Sequence, residues 1–171
     1  MTQPRDDHRN PLAGIDPHSN PDVWAPRLTR VLDRQIDLYT RLRELAERQS
    51  DLVRGDQPDA LLELLAQRQV IVQQVTDLNQ QLEPFTRQWS RLVDRLSLDH
   101  RRSIGERTGR LDSLIGAIAE RDEGDRRTLE SRRSSVAAEI HALSTKRAAV
   151  AAYRDSAGAA PGGARFQDRE G

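Results

Sequence analysis

The apolar positions of this chain fall in long runs of alternating three- and four-residue steps. In the first run Val31, Leu38, Leu45 and Leu52 occupy one seam position. Leu28 and Leu42 occupy the other, alternating there with Gln35 and Gln49. Leu32, Tyr39, Ala46 and Val53 widen the stripe by one residue, more than a two-stranded coiled coil needs, which predicts three or more helices in contact. A second run, from Leu61 through Leu64, Arg68, Ile71, Val75, Leu78, Leu82, Phe85, Trp89 and Leu92 to Leu96, keeps the spacing throughout, and only Arg68 breaks its apolar character. It predicts a helix from Pro58 to about Leu98, which Pro84 either kinks or interrupts near Gln81. A third helical region begins by Ile104 or Leu111 and carries apolar residues as far as Val150. Its seam fails between Ala119 and Thr128. There Asp122 and Asp125 fall where apolar residues are due and Gly124 weakens the helix, so the stretch reads as bent, locally open or facing solvent.

The segments between the runs are punctuated. Arg54-Gly55-Asp56-Gln57-Pro58 is a helix stop followed by a start: Gly55 supplies the left-handed residue that closes one helix, and Pro58 opens the next. So short a link makes the two helices antiparallel neighbours. Residues 1–21, interrupted by Pro4, Pro11, Pro17 and Pro21, read as a disordered tail, with Asp22 as the cap of the first helix. Residues 22–153 form the helical domain. Residues 154–171, with Gly158, Pro161, Gly162 and Gly163, read as a flexible Gly-rich tail. The predicted fold is all-α: long antiparallel helices in a coiled-coil-like hairpin or three-helix bundle.

Composition supports helices that bury one stripe rather than a compact sphere. Of 171 residues, 36% are hydrophobic, only 4% aromatic, and 32% charged. The 27 basic and 27 acidic side chains cancel and are interleaved, so the broad positive field of a nucleic-acid binder is not expected. No cysteine is present, which excludes disulfides, thiol catalysis and cysteine-ligated metal, and fits a reducing compartment. The first twenty residues lack the apolar run of a secretory signal, and the clusters Leu61–Leu65 and Val70–Val75 are too short for stable membrane insertion.

Catalytic constellations are not found. His8, His18, His100 and His141 are scattered, with no His-x-x-x-His or Glu-x-x-His pair to hold a metal. The acids Asp122, Glu123 and Asp125 read as a solvated helix face. Pro161-Gly162-Gly163 lacks the Lys-Ser/Thr pair and following helix of a phosphate loop. Neither an enzyme nor a cofactor is expected. What remains is binding chemistry. Phe85 and Trp89, four residues apart, share one helix face just after Pro84; they read as core filling or as a patch that receives a partner helix. Gln35, Gln49 and Arg68 at seam positions either set register or keep a partner surface soluble. Phe166 is an aromatic on a charged tail, either incidental or a docking residue.

Several segments together resemble a known family. The run from Leu38 to Gln49, the turn Leu52-Val53-Arg54-Gly55-Asp56, the run from Leu61 to Gln69, then Leu78-Asn79-Gln80-Gln81-Leu82 and Ala151-Ala152-Tyr153, are similar to the FlgN-like flagellar export chaperones. The resemblance covers about residues 27–153, and the Gly-Asp turn between Leu-rich helices is its most informative part. It implies a cytoplasmic chaperone of bacterial flagellum biogenesis. Such a protein holds the carboxy-terminal helices of hook–filament junction proteins and delivers them to a component of the flagellar type III export apparatus. The Pro-rich head and the Phe166 tail depart from the family pattern. The expected client contacts are Phe85, Trp89, Ile115 and Ile118, with Phe166 as a further docking residue. The competing functions are a structural or adaptor coiled-coil protein, self-associated as a homo-oligomer, and a regulator that sequesters a partner through the same helices.

Overall fold

The computed structural model of the chain describes residues 10–158. Among these residues all regular structure is helical, in the order α1 (Pro21–Arg54), α2 (Pro58–Thr86), α3 (Trp89–Val93) and α4 (Leu98–Gly158). The chain divides into two compact units, Met1–Thr128 and Leu129–Gly171.

In the first unit, the partners across the helix faces give the topology. Gln35 on α1 donates to Asn79 on α2 at 2.7 Å, and Gln49 meets Arg68, so partner numbers on α2 fall as those on α1 rise. The two helices are an antiparallel hairpin. Asp33 pairs with Arg107 and Glu47 with Arg121, so the first half of α4 runs parallel to α1 and closes an up-down-up bundle. The wide stripe on α1 has its cause here: it faces two helices. Leu28, Val31, Leu42 and Ala46 are buried with Val75, Leu78 and Leu82 of α2 and Ile104, Leu111 and Leu114 of α4 in one core cluster.

The seam of the second run survives both interruptions. Pro84 lies on the exposed face, where the missing N–H is tolerated, and α2 continues through it to Thr86. The chain breaks at Arg87 and Gln88, yet α3 returns Leu92 to the core, and Leu96 follows before α4 begins. The single helix expected to reach about Leu98 is thus two helices holding one register.

The α1–α2 turn differs in detail from expectation. Gly55 stays right-handed at φ −78°, and Asp56 takes the left-handed position at φ 54°. Gln57 N–H then donates to Leu52 C=O at 3.2 Å and Asp56 N–H to Val53 C=O at 3.5 Å, the bonding of a Schellman stop displaced one residue past the glycine. Asp tolerates this conformation better than most side-chain-bearing residues. The start of α1 is also shifted: Asn20, not Asp22, is the cap, its side chain accepting from Asp22 N–H at 3.0 Å. Residues 10–19, expected within a disordered tail, form a series of turns that carry Leu12, 6% exposed, into the core. Arg95 holds their end by donating to the carbonyls of His18 and Ser19.

The second unit, described through the end of α4, is helical. Its stripe Leu129, Val136, Ile140, Leu143 and Val150 lies entirely on the surface.

Candidate functional site

The polar residues that interrupt the seams of α1, α2 and α4 meet one another. Arg68 donates through both terminal nitrogens to the two carboxylate oxygens of Asp122, each at 2.7 Å, and also to Gln49 Oε1. Gln49 Nε2 donates to Asp125 at 2.8 Å. Asp125 is only 7% exposed. The expectation that Asp122 and Asp125 face solvent is therefore corrected: α4 is continuous through Ala119–Thr128, and the two acids point at the hairpin. Their hydrogen bonds are satisfied by seam-breakers of the other helices, which is what makes acids tolerable there. The hydrogen bond to Asp122 raises the Arg68 pKa against the opposing effect of burial, so the guanidinium remains charged. Between these two acids in the chain, Glu123 faces water, and hydrogen bonds from Arg126 and Arg127 hold its carboxyl down to about 2. The inward cluster carries charge but is fully occupied with itself, and among the described residues no group of acids and histidines could hold a metal ion.

The aromatic pair divides. Phe85 is 2% exposed and packs on Trp24, ring centroids 5.4 Å apart. Trp89 is half-buried and lines an open cleft of about 280 Å³ with Leu28, Leu32, Leu82, Phe85, Ile104 and the threonines Thr86 and Thr108. Phe85 and Trp89 are thus brought together in one cleft. Ile115 and Ile118 lie further along α4 and do not line it; Ile118 is 8% exposed and in the core cluster, whereas Ile115 is 42% exposed. Phe166 lies outside the described residues. Trp24 is a core anchor that the sequence reading omitted, together with Ile36 and Leu12. For Trp24 a signal existed: Trp24, Leu28, Val31 and Gln35 keep the four–three–four spacing, so the first seam extends back beyond Pro26.

A further apolar surface lies on the second unit. Leu129, Val136, Ile140, Leu143, Val150 and Tyr153 are between 44% and 75% exposed. All but Tyr153 follow helical steps of seven, four, three and seven, so they form one stripe. Scattered exposed apolar residues are ordinary, but one stripe running along about six turns is the kind of surface that receives another protein. Lys146 flanks its second half, and Arg147 and Arg154 stand among its positions. Such a face can bury against another amphipathic helix. Among the described residues no helix is long and apolar enough to cross a membrane.

A family model described as FlgN protein matches residues 24–161. No curated protein and no solved structure gives a significant match.

Proposed function

Since the chain belongs to the FlgN family, we propose that it is a non-catalytic chaperone of flagellar export that captures the carboxy-terminal helix of a hook–filament junction protein in the cytoplasm. It would then hand that client to the export apparatus. Family membership supports the chaperone role in flagellar export. The observation that carries helix capture is the exposed stripe from Leu129 to Val150, an apolar helix face with no covering core in its own unit. A client helix laid along it would bury several hundred Å² of apolar surface. At roughly 25 cal/mol/Å², less ordering costs, that supports micromolar to nanomolar binding. Lys146 beside the stripe, with Arg147 and Arg154 among its positions, favours a client helix that carries acidic residues.

A second reading places the client on the first unit, with Phe85, Trp89, Ile115 and Ile118 as its contacts and Phe166 as a further docking residue. The cleft beside Trp89 favours it, because its apolar lining can receive a large side chain of the client and a half-buried aromatic is an effective anchor. Isothermal titration with the client's carboxy-terminal peptide, run beside thermal melts of the same variants, separates the readings. On the first, Leu143→Asp weakens binding by roughly a hundredfold and leaves the melting temperature unchanged, while Trp89→Ala binds normally. On the second, Trp89→Ala loses binding and Leu143→Asp does not. A chain that binds no junction-protein peptide in any variant would leave the adaptor and sequestering functions in its place.

A further inference from the structure

The stripe of the second unit has a charge pattern that matches itself in one orientation. Leu129, Val136, Leu143 and Val150 recur every seven residues and form one seam position. The other seam position, four residues later each time, holds Arg133, Ile140, Arg147 and Arg154. In a parallel pair each of these residues would face its own copy, stacking arginine on arginine at three layers, which like-charge repulsion forbids. In an antiparallel pair centred between Ile140 and Leu143, Ile140 of one copy meets Leu143 of the other at two central layers. Arg147 then lies over Val136, and Arg133 over Val150, where each aliphatic stem covers the valine and the guanidinium reaches water.

The two flanks agree with that register. Other acid–base pairs of α4, Arg102–Glu106 and Glu123–Arg127, close within the helix at four-residue spacing. Glu139 and Lys146 lie seven residues apart on one flank, about 10 Å along the axis, too far to meet within the helix. The antiparallel register sets Glu139 of each copy against Lys146 of the other, twice by symmetry. The opposite flank carries Ala137, Ser144 and Ala151, small residues that let two helices approach closely.

We propose that residues 129–154 are a self-docking surface whose occupant is the same helix of a second copy, antiparallel and held by reciprocal Glu139–Lys146 pairs. The seam spans about 39 Å per copy. The area it buries, on the order of 1,000 Å², is at the low end for specific interfaces, so the dimer is weak and exchanging. It covers the stripe until a competing helix arrives. The proposal rests on the exposed stripe and its charges, not on the identity of any client.

Sedimentation velocity of the full chain without client, from micromolar concentrations upward, tests it. A monomer–dimer equilibrium is expected. Glu139→Lys and Lys146→Glu should each raise the dissociation constant about tenfold, because two attractive contacts become repulsive. The double variant Glu139→Lys/Lys146→Glu should restore it. Leu143→Asp should be monomeric with an unchanged melt. A chain that stays monomeric at the highest concentration, or a dimer indifferent to the single reversals, overturns the proposal. So does a double variant that fails to recover. Client titration of Glu139→Lys is a separate readout, because that variant keeps its apolar stripe; its failure would count against the client reading alone.

Discussion

At the level of single residues, the most telling group is Gln49, Arg68, Asp122 and Asp125. Each interrupts a hydrophobic seam, and each interruption is answered by another. Arg68→Ala leaves the Asp122 carboxylate and the Gln49 amide oxygen without their shared donor and should destabilise the first unit by about 1–3 kcal/mol, moderated because Asp122 is partly in water. Replacing both charges, Arg68→Met with Asp122→Leu, should recover most of that loss in a denaturant titration. Glu123 gives a pH prediction. Its folded pKa of about 2 lies below the ordinary 4.5, so its contribution to stability is complete above 4.5 and is lost as pH falls towards 2. Carboxyl titration by NMR should place the midpoint near 2 and move it back towards 4.5 when Arg126 and Arg127 are both replaced by alanine. These residues were legible one at a time in the sequence as seam-breakers. Their meeting was not, because it depends on the stagger of three helices, which periodicity along one helix does not contain. Trp89 and Ile118 show the same limit: their spacing marks both as apolar-face residues, but only packing leaves one at an open cleft and covers the other.

At the level of elements, the helices were legible because the three–four spacing is long and nearly unbroken. The register from Leu61 to Leu96 persists across Pro84 and across the break between α2 and α3. Burial makes the cost of a cavity testable: Leu82, 6% exposed, should lose about 2–5 kcal/mol on substitution by alanine. A melt unchanged by Leu82→Ala would mean that this seam is not core. The α1–α2 turn was legible as a turn, but not which residue carries the left-handed conformation. Gly55 N–H still closes a helical bond to Asp51 C=O at 2.8 Å, so the reversal falls on Asp56. Asp56→Gly should therefore stabilise the chain by about 0.5–1 kcal/mol, read as a higher urea midpoint at unchanged slope. The turns of residues 10–19 escaped the sequence reading because prolines spaced through polar residues look the same whether or not a single Leu12 finds a core.

At the level of the whole molecule, the sequence showed one helical region ending near Tyr153, and the structure assigns its residues to two units with different burial. In the first, the seams are answered by partners. In the second, the same kind of seam is bare. A protein whose work is to hold another's helix needs one such unanswered face, and a self-sufficient adaptor does not. Hydrogen–deuterium exchange of the full chain, at concentrations where it is monomeric, with and without the carboxy-terminal peptide of a hook–filament junction protein, is the most direct test. The bare helix should exchange quickly alone, because few buried contacts hold it closed. On adding the peptide, residues 129–154 should slow by more than about tenfold while the α1–α2 hairpin changes little. Residues 129–154 that exchange equally fast with and without the peptide, while protection appears in the hairpin or nowhere, would contradict the account.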